Sequence, residues 1–153
     1  MKSPLLVNTV FLGWKIFLAR VTLLLMPRIL IADDHEIMRT GIRSVLESHG
    51  DFDVCEAKDG KEAIEKTKEL KPDLVILDVS MPVLDGFSAA REIRKDFPRI
   101  PILFFSLNRT EVFTEVAQKI GVNGYITKLD DSQTLLRAVD AALSNQTYFP
   151  IYP

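Results

Sequence analysis

The chain has 153 residues, 47% apolar and 26% charged, which is ordinary for a globular protein and enough for one domain with a real core. Its net charge is −2, but residues 1–26 hold Lys2, Lys15 and Arg20 and no acid, so this stretch is +3 and the remainder −5; an acidic body argues against direct DNA binding by this chain. A single cysteine, Cys55, excludes an internal disulfide and fits a reducing cytoplasm, and with only His35 and His49 beside it no zinc site is expected.

Residues 1–25, MKSPLLVNTVFLGWKIFLARVTLLL, are apolar but interrupted by Lys15 and Arg20. A membrane-spanning helix takes about 20 mostly apolar residues, and each charge near its centre costs about 3 kcal/mol. No small-residue cleavage site follows the apolar part, so a signal peptide fits poorly. Three readings of this apolar extension stay open. It is upstream sequence translated ahead of a start at Met26, an interfacial or partner-binding helix, or a membrane anchor. Residues 26–153 read as one domain without repeats or internal linkers.

The alternation of that domain is regular. RILIA (28–32) predicts a short buried strand. HEIMRTGIRSVLESHG follows as a helix, with Ile37, Gly41, Ile42, Val45 and Leu46 near helical spacing and Gly50 as its stop. FDVCEA reads as a strand in which Cys55 packs as a small apolar group. DGKEAIEKTKELKP is a helix ended by Pro72, and DLVILD a strand. DGFSAAREIRKDFP is a helix closed by Pro98, PILFFS a strand, and RTEVFTEVAQKIG a helix closed by Gly121. VNGYITK is the fifth strand and DSQTLLRAVDAALSNQ the last helix.

Five near-continuously apolar strands alternating with helices imply an α/β, doubly wound parallel sheet with right-handed crossovers. In such sheets ligands bind outside the carboxyl ends of the strands. The residues at those ends are Asp33 and Asp34, Asp78, Ser106 and Lys128, while the second strand offers only Glu56 or Ala57 and is expected at an edge. Two unit charges about 4 Å apart repel by about 4 kcal/mol at an effective dielectric near 20. Lys128 offsets one of three carboxylates, and a hard divalent cation such as Mg2+ removes the remainder. ADDHE lacks the Gly-rich turn of a dinucleotide site, and no GxxxxGK[ST] loop is present. An aspartate at a strand end beside Mg2+ and a lysine can instead attack phosphorus, with Ser106 donating to the phosphoryl oxygens.

Together ILIADDHE, LVILDVSMPVLDG, ILFFS and GYITK resemble the receiver domain of bacterial two-component response regulators, over about residues 27–145. Ser106, Tyr125 and Lys128 follow Asp78 by 28, 47 and 50 residues, and this ordered spacing carries the resemblance. It implies a flavodoxin-like sheet of strand order 2-1-3-4-5 with Asp78 as phosphoacceptor. Asp34 binds Mg2+ directly and Asp33 mainly through water, with the backbone carbonyl of Ser80 as a further ligand. Lys128 pairs with the phosphoryl group, Ser106 swings toward it and Tyr125 changes rotamer. Met81, Pro82 and Gly86 shape the loop after the acceptor. His35 is expected at the surface in the first turn, outside the site.

The resemblance also implies partners: a histidine kinase or phosphotransfer protein as donor, and a homodimer or downstream protein as the reader of phosphorylation. The activity implied is a phosphoacceptor's, with slow self-dephosphorylation, rather than a dedicated enzyme's. ADDHEIMRTGIRSVLES is similar to receivers of NarL/FixJ-type transcription factors, yet the chain stops at TYFPIYP without room for their output domain. A stand-alone receiver and a fragment of a longer product are both consistent. Two rival functions share the fold. One is a phosphorylation-independent interaction module. The other is an aspartyl-phosphate phosphatase, which is disfavoured because Ser80 stands where haloacid-dehalogenase-like enzymes carry a second Asp. Two departures from the family pattern are Leu129 after Lys128, where many receivers have a cis proline, and Leu107 after Ser106, where a smaller residue is common.

Overall fold

Strands that are buried on both faces need helices on both sides, and the computed structural model has that arrangement. It describes residues 4–108 and 110–150. A first helix, α1 (Pro4–Leu25), precedes β1 (Arg28–Ala32), α2 (Glu36–His49), β2 (Asp53–Ala57), α3 (Gly60–Leu70) and β3 (Leu74–Leu77). The chain continues through α4 (Gly86–Asp96), β4 (Ile102–Ser106), α5 (Glu111–Ile120), β5 (Gly124–Thr127) and α6 (Ser132–Leu143). All strand pairs are parallel and the order is β2-β1-β3-β4-β5, with β2 at an edge as expected.

Alternate strand residues feed two cores. Leu30, Val75, Leu77, Phe104 and Tyr125 pack on one side, against Ala63 of α3, Ala89, Ala90 and Ile93 of α4, and Ala117 of α5. Ile29, Ile31, Ile76, Leu103 and Ile126 pack on the other, against Ile42 and Leu46 of α2 and Leu135 and Val139 of α6. Four helices begin where a side-chain oxygen accepts a first-turn N–H: Asp59 from Glu62, Asp85 from Ser88, Thr110 from Phe113 and Asp131 from Thr134. Helix α3 ends at Lys71 in the left-handed conformation, one residue before Pro72.

Two expectations need correction. Ile37 is exposed and Gly41 faces outward, because the first turn of α2 projects past the end of β1; Ile42 and Leu46 carry the buried contact. Cys55 is only half-buried, because β2 is an edge strand with one neighbour. Within residues 1–25 the chain forms α1, and no helix among the described residues is long and apolar enough to cross a membrane.

The register sets the site. Ala32 pairs with Ala57 on one side and Leu77 on the other, so β1 and β3 end level. Asp33 N–H then donates to Ala57 O at 3.1 Å and Asp78 N–H to Ala32 O at 2.8 Å. The loop after Asp78 is pressed beneath the start of α4. An added Cβ on Gly86 would lie 2.1 Å from Asp78 O, so only glycine fits there. Gly60, opening α3, meets the same loop, with its Cβ position 2.2 Å from Leu84 O. Within this loop Val83 holds φ +69° while its side chain stands in solvent. A β-branched residue in that region is strained by about 1–2 kcal/mol with no buried contact in return. Val83→Gly is expected to raise stability by about 1 kcal/mol, or about 2–4 °C in thermal midpoint. An unchanged or lower midpoint in a thermal melt contradicts the strain.

Candidate functional site

Three buried charges meet where β1, β3 and β5 end. Side-chain exposure is 1% for Asp33, 4% for Asp78 and 4% for Lys128. Lys128 Nζ lies 2.9 Å from Asp78 Oδ2 and 2.5 Å from Asp33 Oδ2. The second contact is a close, buried ion pair. Burial pushes the Asp78 carboxyl above its ordinary value, more than Lys128 pulls it down, and neighbouring Asp33 adds to the rise. Burial acts to lower Lys128, but its two carboxylate contacts outweigh this and hold the ammonium above its usual range. Lys128 is positioned from its backbone, its N–H donating to Ser106 O at 2.9 Å. There is no cis peptide among the described residues, and Lys128 reaches both carboxylates with Leu129 after it.

Asp34, the more exposed acid, sits at the mouth. His35, expected outside the site, is brought into it. It remains a surface residue, 61% exposed, but its backbone N–H donates to Asp33 Oδ1 at 2.8 Å, and its Nδ1 lies 3.0 Å from Asp34 Oδ1 and 3.3 Å from Asp33 Oδ1. Asp33, Asp34, His35 and Asp78 each place one candidate ligand atom within 4.8 Å of the others. With oxygen donors dominant and three acids against one lysine, the set fits a hard divalent cation. His35 is the exception in this set, since Mg2+ prefers oxygen.

The other expected residues surround this cluster. Ser80 faces the acceptor through its backbone, with N–H donating to Asp78 Oδ1 at 3.2 Å. Ser106 is buried at the end of β4, and Leu107 beyond it is exposed. Tyr125 is fully buried, and its hydroxyl donates to Asn108 O in the loop between β4 and α5. Its ring begins an aromatic row. Tyr125 and Phe104 have centroids 5.9 Å apart, Phe104 and Phe87 meet edge-on at 5.0 Å, and Phe87 and Phe113 edge-on at 5.4 Å. The row joins β5, β4, α4 and α5.

Sequence reasoning missed the clamp that holds the acidic turn. Arg39 Nε donates to Glu56 Oε2 at 2.9 Å while its Nη1 donates to Asp33 O at 2.8 Å. Arg43 Nε donates to Glu56 Oε1 at 2.8 Å. The signal was present as Glu56 at a strand end, but its partners depend on the pairing of β1 with β2.

The match to known families now has a structural basis. The model of the "Response regulator receiver domain" family matches residues 29–140. The chain belongs to that family. A curated relative, "Response regulator protein VraR" of Staphylococcus saprophyticus, is 38% identical over 125 residues, covering 80% of this chain and 59% of the relative. The chain therefore spans about three-fifths of that relative's length. Among solved structures, a two-component response regulator of the LuxR family from Aurantimonas is 34% identical with TM-score 0.77, covering 80% of this chain and 88% of that one. The isolated REC domain of RcsB from Salmonella enterica, solved with the phosphomimetic BeF3−, is 26% identical with TM-score 0.74, covering 82% and 94%. The receiver assignment and the strand order agree with the sequence expectation.

Burial acts to raise Glu56, yet the hydrogen bonds from Arg39 and Arg43 more than reverse it and leave the carboxyl below its ordinary value of 4.5. A carboxyl lowered on folding adds stability above its unfolded value, and that stability is lost as pH falls through the folded value. Glu56→Gln is therefore expected to cost about 1–2 kcal/mol at pH near 7. The gap between variant and parent closes well below the ordinary value of 4.5. Denaturant unfolding at both pH values checks this, and an equal gap at both contradicts it.

Proposed function

We propose that Asp78 is the phosphoacceptor of a two-component relay, taking the phosphoryl group from the phosphohistidine of a histidine kinase or phosphotransfer protein. The observation that carries this reading is the Asp78 carboxylate, buried at the end of β3, with the Lys128 ammonium at 2.9 Å. A carboxylate oxygen of Asp78 forms a bond to phosphorus as the P–N bond to the donor imidazole breaks, and the imidazole leaves with the electron pair. Lys128 favours the ionised form of Asp78 against the larger, opposing effect of burial, and then pairs with the phosphoryl oxygens. Ser106 donates to the same oxygens. Asp34, Asp78 and the backbone carbonyl of Ser80, with Asp33 mainly through water, would hold Mg2+, which would supply positive charge to offset the carboxylates and the phosphoryl oxygens.

The added charge draws Ser106 and Lys128 inward, and Tyr125 turns with them. Helix α5 and β5 then move between two arrangements, changing contact with a downstream protein or a second copy. Between events the acyl phosphate is hydrolysed slowly at the same site, so the chain is a switch rather than a dedicated enzyme, working in the cytoplasm. The acidic body supports a protein partner rather than DNA for this chain. Ser80, two residues after Asp78, is not the acid an aspartyl-phosphate phosphatase requires.

Intact mass spectrometry of the full chain with acetyl phosphate and Mg2+ tests this directly. A gain of one phosphoryl group is expected, and Asp78→Ala abolishes it. A folded protein that gains nothing at any Mg2+ concentration overturns the proposal. Mg2+ is also expected to raise the thermal midpoint, with a stabilisation of about 2.7 kcal/mol at a hundredfold excess over its Kd. Asp34→Asn should remove most of that rise, and an undiminished rise in this variant argues against Asp34 as a ligand.

A further inference from the structure

Helix α1 leaves an unusual amount of apolar surface in solvent. Its large apolar side chains from Val10 to Leu18 are between 46% and 71% exposed. Single exposed apolar residues are ordinary, whereas a contiguous set on one helix marks a surface that something covers. At about 100° per residue, Val10, Trp14, Phe17 and Leu18 fall on one arc with Phe11 at its border, while Leu12 and Ile16, also exposed, stand on the opposite side between Lys15 and Arg20. Lys15 and Arg20, five residues apart and so about 140° around the axis, stand on opposite flanks of that arc. Neither has a carboxylate partner among the described residues. Lys15 Nζ rests instead 5.4 Å from the centre of the Phe11 ring.

We propose that α1 lies in the plane of an anionic lipid surface, with the Trp14 arc immersed and Lys15 and Arg20 reaching the headgroups. An aromatic and aliphatic arc bordered by long basic side chains suits the boundary between acyl chains and anionic headgroups. The charge distribution supports this occupant. Residues 1–26 carry +3 and no acid, while the rest of the chain carries −5. An anionic surface therefore attracts the extension and repels the body, which keeps the site at the ends of β1 and β3 in solution. A second copy is a poorer occupant, because two such helices bring basic side chains together with no acid between them. The proposal is independent of the phosphoacceptor reading.

Trp14 is the only tryptophan of the chain, so its emission reports on α1 alone. The full chain is mixed with vesicles of phosphatidylcholine containing about 30% phosphatidylglycerol, and separately with phosphatidylcholine alone, then followed by emission and flotation. With the anionic vesicles a blue shift and co-flotation are expected, at least about tenfold stronger than with neutral ones and weakening as salt rises. Lys15→Glu with Arg20→Glu is expected to lower partition at least about tenfold, while the thermal midpoint of the body stays where it was. Unchanged emission with both vesicle types overturns the proposal. Equal partition into both overturns its anionic part. A blue shift without vesicles that grows with protein concentration replaces the lipid with a second copy.

Discussion

One ammonium group holds the carboxyl edge of the sheet together. Lys128 enters from the end of β5 and touches Asp33 at the end of β1 and Asp78 at the end of β3, so a single side chain ties three strands across the mouth of the fold. Removing the lysine leaves two buried carboxylates without a counter-charge, which is far more costly than exchanging the whole set for apolar groups, whereas removing either acid leaves one balanced pair. The cluster is thus poor as a source of stability and well suited to chemistry. Its unbalanced negative charge can be met by a cation and by an incoming electrophile. The surrounding architecture, from the level ends of β1 and β3 to the Arg39 clamp, keeps these like charges from moving apart.

Much of this was legible because each strand is covered on both faces. That condition forces apolar runs such as LVIL and ILFF, and the polar residue that closes each, Asp78 or Ser106, marks the sheet edge. Element ends are less legible. Ile37 fits a helical apolar period, yet one turn at the lip of the sheet has nothing to pack against. Cys55 looks like core in FDVCEA, but whether a strand lies at an edge depends on which strands pair, and an edge strand is only partly covered. His35 illustrates the limit for the site. Its ring lies beside the acids with its backbone N–H held by Asp33 Oδ1, and a linear sequence does not state that contact. The Arg39–Glu56 pairing was hidden for a similar reason, since it joins a helix to a strand through the β1–β2 register.

The loop after the acceptor shows how little slack surrounds the site. Gly86 and Gly60 let the first turns of α4 and α3 press against the backbone from Asp78 to Leu84, and Gly86 N–H donates to Val79 O at 2.8 Å. Val83 absorbs the resulting curvature in an uncommon conformation while its side chain remains in solvent. Backbone crowding of this kind fixes where Asp78 points, because the residues that follow it have no room to drift.

The aromatic row from Tyr125 through Phe104 and Phe87 to Phe113 has a mechanical consequence. Rings packed edge to face keep their attraction over a range of offsets but lose it when pulled apart. Phe87 therefore joins β4 to α5, its ring edge-on to Phe104 on one side and to Phe113 on the other. The hydroxyl of Tyr125, bonded to Asn108 O, joins that row to the loop entering α5, so the same helix is held at its entrance and at its flank.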